Sequence, residues 1–270
     1  MDYKRQILSY TRRAVDDYKM INAGDKIAVG VSAGKDSLTL LCAMAALKRF
    51  YPEKFELEAI TVDMGFEGGS DFSAIERLCR ELDVPYTVVP SDIAKIVFDI
   101  RKEANPCSLC AKLRRGALNN AAKERGCNKV ALGHHWDDTV ETFMLNLFFE
   151  GRIGCFSPVT YLSRVDLTVI RPMIYMPEKT VRAFAKQAEL PVITSSCPAD
   201  KSTEREQMKA LLNEYEHRDP RYKGLKNRIF NAIQKAEIDG FKLPERRLPA
   251  FSEDCEDIIK AVDGDDNSEI

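Results

Sequence analysis

Two apolar rhythms alternate along the chain. KIAVGV (26–31), FELEAITVD (55–63), PYTVV (85–89), KVALG (129–133), LTVIRP (167–172) and LPVITSS (190–196) are short apolar runs bounded by turn-forming residues, the pattern of buried strands. Between them the spacing turns helical: LTLLCAMAALKRF after Ser37, residues 71–82, HHWDDTVETFMLNLFF from His134, and EKTVRAFAKQAE from Glu178. An amphipathic helix is predicted ahead of them, over residues 3–20. Strands alternating with helices predict an α/β fold with a doubly wound parallel sheet. Ligands of such sheets sit outside the carboxyl ends of the strands.

The rhythm changes after Pro198. Residues 200–235 hold nine Lys or Arg against six acids and read as two helices broken at Asp219-Pro220. The expected organisation is an N-terminal helix (1–22), an α/β domain (23–199), a basic helical extension (200–240) and an acidic tail (241–270), which its prolines and charge suggest is mobile.

Composition narrows the class. Hydrophobic residues make up 44% and charged residues 30%, ordinary for a soluble globular chain and unlike a fibre or a disordered segment. No apolar run approaches the roughly 20 residues that cross a bilayer. The charged N-terminus lacks a secretory apolar segment, so the expectation is a cytoplasmic protein with no membrane partner. Residues 251–270 carry eight acids and one lysine, so of the total charge of −2 a balance of +5 falls on the preceding 250 residues. A mildly basic body tolerates a polyanionic partner.

GVSAGKDS (30–37) lies where a strand gives way to a helix. Small residues there let backbone N–H groups approach an anion, and the helix N-terminus favours negative charge. It is not a Walker A loop, because three residues separate Gly30 from Gly34 and Asp36 follows Lys35. The form resembles the PP-loop of the ATP pyrophosphatases, which hold the β,γ-phosphates of ATP and release pyrophosphate. That resemblance assigns Val31, Ser32, Ala33, Gly34, Lys35, Asp36 and Ser37 to the nucleotide. Ala33 stands where the family usually has glycine, which restricts positive φ. Asp63 closes a neighbouring strand and is expected to border the adenosine. GHHWDD (133–138) matches a G-H-x-x-D-D box of the same family, with Gly133 leaving room for the nucleotide, His134 beside it, and Asp137 or Asp138 holding Mg²⁺ or orienting a phosphate. Taken alone, such a box caps a helix as readily as it binds. Trp136 is assigned to packing.

Eight cysteines in a reducing compartment are poor candidates for a disulfide framework. Cys107 and Cys110, in NPCSLCAKLRRG, suit a redox pair, half a zinc site or part of an iron–sulfur site. No second spaced pair exists, and Cys42, Cys79, Cys127, Cys155 and Cys255 are solitary. Cys197 precedes Pro198, as iron–sulfur ligands often do. From spacing alone cluster, zinc and no metal all stay open.

The combination of the PP-loop, CSLC with LRRG, GHH-DD, IRP and a lone cysteine near residue 200 resembles the TtcA family of tRNA 2-thiocytidine synthetases, over roughly residues 20–235. The resemblance implies the adenine nucleotide alpha hydrolase-like (HUP) form of the α/β fold and a [4Fe–4S] cluster on Cys107, Cys110 and Cys197. It implies a two-step reaction with ATP and Mg²⁺: adenylation of the C2 oxygen of a cytidine in the tRNA anticodon loop with release of pyrophosphate, then attack by sulfide bound to the open iron, giving 2-thiocytidine and AMP. Lys35, Asp36, Asp137 and Arg114 are the expected catalytic residues. The sulfur donor is cysteine desulfurase-derived or free sulfide, and a homodimer is expected. Arg114, Arg115, Arg218, Arg221, Lys223, Lys226 and Arg228 are expected to meet RNA phosphate. Two competitors stand beside this reading. One is another PP-loop tRNA modifier, such as a 2-thiouridine synthetase. The other is a zinc-stapled RNA-binding module without catalysis, against which the intact Lys35-Asp36-Ser37 speaks.

Overall fold

A computed structural model describes residues 2–66, 69–102, 106–193, 197 and 204–243. The strands are β1 (Lys26–Gly30), β2 (Glu56–Val62), β3 (Tyr86–Val89), β4 (Lys129–Ala131), β5 (Val159–Leu162) and β6 (Leu167–Ile170). They form one sheet in the order β3, β2, β1, β4, β6, β5. All neighbours pair parallel except β5 with β6. The chain leaves β1 toward β2 and β3 on one side and returns to place β4 on the other. The topological switch therefore lies between β1 and β4, where ligands of doubly wound sheets bind.

Two expectations about strands are corrected. The antiparallel edge strand β5 is missing from the apolar pattern: VTYL is only half-buried, Tyr161 is exposed, and SRVD is a turn without the usual Gly or Pro signal. LPVITSS is not a strand over its described part. Residues 190–193 run as a loop with Val192 exposed, so the apolar run does not mark a buried strand there; 194–196 lie outside the described residues, as does the acidic tail from 244.

Side-chain alternation splits the sheet between two cores. Ile27, Val29, Leu57, Ala59 and Ile170 face a layer built from α1 (Tyr3–Asp17), α2 (Lys35–Phe50) and α6 (Glu178–Gln187). Ala28, Ile60 and Val130 face Leu118, Ala121 and Ala122 of α4 (Pro106–Glu124) on the opposite side. α3 (Ser73–Glu81) covers β3, and a π-helical turn (Lys95–Arg101) precedes α4. Proline suits the first position of α4, where its missing N–H would have no helical partner. α5 (Trp136–Phe149) follows β4. The C-terminal α7 (Glu204–Arg218) and α8 (Leu225–Lys235) pack on α5, separated by a 3-10 turn at Pro220 with Asp219 as its cap. Trp136 packs beside Phe230 of α8, with ring centroids 5.8 Å apart.

At the amino end of the sheet a buried ion pair fastens the chain. Lys129 Nζ lies 2.6 Å from Asp25 Oδ2, both side chains being under a tenth exposed. Lys129 also donates to Met20 O, while Asp25 accepts from Asn128 Nδ2 and Asn22 N. Removing one partner of such a pair strands a buried charge. Lys129→Met should therefore lose about 3–5 kcal/mol in urea unfolding. Asp25→Asn with Lys129→Met should lose less than the single change, and an equal or larger loss would show that the two charges are not coupled.

Candidate nucleotide and cysteine site

The phosphate loop occupies the switch point. Val31 N donates to Ile60 O at 2.8 Å, carrying the β1–β2 pairing one residue past the strand. Ala33 is buried and left-handed, with φ +63°, and its carbonyl accepts from Ile193 N. Alanine holds the conformation that glycine adopts without strain, at a cost on the order of 1 kcal/mol. Ser37 Oγ ties the loop together, accepting from Ser32 N at 3.0 Å and donating to Gly34 O at 3.0 Å. α2 begins at Lys35 with no side-chain cap from Gly34. The first-turn N–H groups have no intrahelical acceptors, which is what an anion needs.

Parallel pairing brings the flanking strand ends to the same edge. Asp63, after β2, accepts from Gly65 N through Oδ1, and its carbonyl accepts from Ser91 Oγ, so it shapes the turn there. Gly133, after β4, has a role that the sequence did not disclose. A Cβ on it would lie 3.1 Å from the backbone C and O of Asp36, so the glycine lets β4 approach the start of α2.

The GHHWDD segment first builds a helix start. His135 caps α5: its Nδ1 accepts from Asp138 N at 3.4 Å, and Asp138 Oδ2 accepts from His135 N at 2.8 Å. The His135 ring turns Nε2 toward Asp36 Oδ1, 3.7 Å away. Asp137 points inward, accepting from Glu178 N at 2.7 Å and Lys226 Nζ at 3.2 Å. Its carboxylate fastens α6 and α8 to α5. Burial, and then the Arg171 charge, lowers the His134 pKa to about 4, so the ring is neutral at pH 7. It lies 4.9 Å from the Phe156 ring, over which Arg171 also sits at 5.0 Å.

Charged residues that sequence reasoning missed complete the site. Glu178, at the first position of α6, pairs with Lys35 at 3.3 Å, Lys209 of α7 at 2.9 Å and Arg182 at 3.1 Å. Burial raises its carboxyl pKa, but the hydrogen bonds and charges of Lys209, Lys35 and Arg182 outweigh that and hold it at about 2. Arg205 of α7 reaches Asp138 Oδ1 at 3.4 Å and Thr142 Oγ1 at 2.9 Å. Glu178–Arg182 is a local pair one helical turn apart, but nothing in the local pattern signals the contacts with Lys35 and Lys209, which join residues far apart in sequence.

Cys107 and Cys110 sit three apart in the first turn of α4, on one face of the helix. α4 runs back from the carboxyl edge toward the start of β4, so this turn lies at the edge that carries the phosphate loop. Burial raises the Cys110 pKa, Arg114 opposes it, and Cys197 and Cys107 raise it further, so all three thiols share one electrostatic neighbourhood. Three thiols are the donor chemistry of an iron–sulfur centre. Among the described residues no trio of Cys, His, Asp or Glu stands at metal-binding spacing. None of the seven described cysteines is in a disulfide. Cys197 is itself in neither helix nor strand, and the residues on both sides of it lie outside the described residues. Of the expected RNA-facing residues, Arg114, Arg115, Arg218, Arg221, Lys223 and Arg228 are exposed. Lys226 is the correction: it is buried, with its charge spent on Asp137.

The loop at the switch point places the chain in a known class, for a model of the PP-loop domain matches residues 5–232, and the chain belongs to that family. Within it the chain is a member of the TtcA family of tRNA-cytidine 2-sulfurtransferases, an enzyme family. It is 39% identical over 233 residues to the tRNA-cytidine(32) 2-sulfurtransferase of Geobacter sulfurreducens (85% of this chain, 90% of that protein). It is 42% identical over 213 residues to the protein of that name from Syntrophotalea carbinolica (78% and 82%). Among solved structures it resembles the U34-tRNA thiolase NcsA from Methanococcus maripaludis with its [4Fe-4S] cluster. The TM-score is 0.69 at 26% identity, covering 84% of this chain and 77% of that one. No helix among the described residues is long and apolar enough to cross a membrane.

The left-handed Ala33 gives a direct test of the loop. Ala33→Gly should stabilise the protein, or leave it unchanged where the glycine's extra unfolded-state freedom offsets the relief, within about 1 kcal/mol. Thermal unfolding checks this, and a loss well beyond 1 kcal/mol would mean that the alanine methyl is packed rather than strained.

Proposed function

We propose that this chain thiolates a cytidine of the tRNA anticodon loop in two steps, spending ATP to activate C2 and a sulfide to replace its oxygen. The observation that carries the reading is the shared edge. The phosphate loop at the switch point and the start of α4 with Cys107 and Cys110 lie at the same carboxyl edge of the sheet. The names of its curated relatives and the cluster of NcsA support the same chemistry.

In the first step the C2 oxygen of the base attacks the α-phosphorus of ATP and pyrophosphate leaves. Oxygen is a poor leaving group until it carries AMP, which is why a nucleotide is needed. Lys35 and the N-terminus of α2 stabilise the charge that grows on the departing pyrophosphate. Mg²⁺ binds through one or two carboxylates plus phosphate oxygens, and Asp36, in the loop and more open than Asp138, would hold it with Asp138 in support. Asp63 and Gly133 border the nucleoside from either side. In the second step sulfide attacks C2 and AMP departs with the oxygen. Cys107, Cys110 and Cys197 would hold the iron–sulfur cluster, which supplies an iron position open to an exogenous sulfide. Arg114, close enough to Cys110 to lower its pKa, places positive charge beside the incoming anion. Arg115, Arg218, Arg221, Lys223 and Arg228 meet phosphates of the RNA and position it. A tRNA substrate puts the work in the cytoplasm.

Mass spectrometry of tRNA nucleosides tests the reading. Deleting the gene should remove 2-thiocytidine. The wild-type gene should restore it, while Lys35→Ala and Cys110→Ala should not. Persistence of 2-thiocytidine in the deletion strain would overturn the proposal. Protein purified without oxygen should be brown, and Cys107→Ala, Cys110→Ala and Cys197→Ala should each lose the absorbance near roughly 400 nm that marks such clusters, with Cys42→Ala retaining it. Reversing the charges of Arg221, Lys223 and Arg228 together should weaken tRNA binding and flatten its salt dependence by about one unit of slope for each phosphate no longer neutralised. Wild-type binding and slope would move the RNA to another face.

A further inference from the structure

Glu178 is a crowded carboxylate. Its Oε1 is shared by Lys35 Nζ at 3.3 Å, Lys209 Nζ at 3.0 Å and Arg182 Nη2 at 3.1 Å. Oε2 receives Lys209 again, at 2.9 Å. Lys35 belongs to the phosphate loop, and Lys209 to α7 in the C-terminal extension, 174 positions further along the chain. Both side chains keep about a quarter of their surface open, 30% and 24%, so an anion arriving from solvent can reach either ammonium group. Glu178 itself is only 10% exposed.

We propose that Lys209 is a second phosphate-binding cation of the nucleotide site, so that the C-terminal extension contributes a residue to ATP binding; this rests on the ATP reading above. Sharing one carboxylate oxygen, Glu178 Oε1, holds the two ammonium groups close to one another. An anion that contacts Lys35 at the loop is within the span of a polyphosphate from Lys209. Three cations meet on Glu178, against that carboxylate and Asp36, with Glu206 and Glu141 as further acids that act on Lys209. The depressed Glu178 pKa reports the same positive field. A triphosphate carries about four negative charges, more than one lysine and a helix N-terminus balance, and a second ammonium ion supplies what Lys35 lacks. The charge that α7 brings would then act at the loop as well as in holding the helix.

The competing account is that Lys209 only fastens α7 by neutralising Glu178. A comparison of ligands separates the two. Isothermal titration on the full chain should use α,β-methylene-ATP, which resists cleavage at the reacting bond, and AMP, which lacks the outer phosphates. Lys209→Met should weaken binding of the analogue about tenfold while leaving AMP affinity unchanged. Lys209→Arg, which keeps a cation, should recover most of the loss. Should methionine destabilise the extension, Lys209→Gln is read through the ratio of the two affinities, which does not depend on the folded fraction. An unchanged ratio, or equal loss of analogue and AMP, overturns the proposal. Failure of the wild-type chain to bind the analogue would instead defeat the ATP reading itself.

Discussion

β1 hydrogen-bonds in parallel to β2 on one side and to β4 on the other, and that double pairing determines where everything else can act. Parallel strands send their carboxyl ends the same way, so the loop after β1, Asp63 after β2 and Gly133 after β4 are delivered to one edge. The delivery works only if β4 can come close to the start of α2. A side chain at residue 133 would meet the Asp36 backbone, which cannot yield as the tip of a flexible side chain can. The glycine is thus a steric condition on the loop.

Charge then ties the C-terminal helices to that edge. Asp137 takes Lys226 of α8, Asp138 takes Arg205 of α7, and Glu178 takes Lys209 of α7. Two buried glutamates in this region show what the partners accomplish. Glu178 has close cations and its pKa falls to about 2. Glu141 of α5 is as deeply buried, its nearest cation is Arg205 at 3.7 Å, and its Oε1 has no partner among the described residues. Burial pushes its pKa up to about 7, with Asp138 adding to the rise. Without α7 the other carboxylates would move toward the same condition, because a buried carboxylate without a cation favours its neutral form. The extension is therefore part of the electrostatics of the loop.

The sequence disclosed what repeats or sits contiguously. Strand runs, the helices between them, the break at Asp219-Pro220 and the SAGKDS loop each carry their signal within a dozen residues. The α/β class and the family followed from such segments. Two kinds of feature stayed hidden. One was structure whose local signal is weak or misleading: the half-buried β5, and LPVI, where four apolar residues lie in a loop against Ala33. The other was long-range pairing. Lys226 lies in a basic bunch whose neighbours are exposed, yet its charge is buried against Asp137, 89 positions away. Composition cannot tell a solvated lysine from a buried one. Glu178 looked like an ordinary acidic residue in the first turn of a helix, and only the fold brings it Lys35 and Lys209.

On the proposed reading, local charge also reconciles an acidic chain with a polyanionic substrate. The formal charge is −2, which by itself would not draw RNA or ATP. What favours an anion here is local, for two helix N-termini open to one edge: α2 beneath the phosphate loop and α4 beneath Cys107 and Cys110. Arg114 and Arg115 follow one turn into α4, and Arg115 lies near enough to the buried Arg171 at the end of β6 to help lower that guanidinium's pKa to about 10, burial being the larger cause. The Arg115 charge thus disfavours that of Arg171 on this edge. That tension is relieved by anions. Phosphate at α2, thiolates and sulfide at α4, and RNA phosphate between them would each gain from the same field. This gives a physical reason for one sheet edge to take both the nucleotide that activates the base and the sulfur that replaces its oxygen.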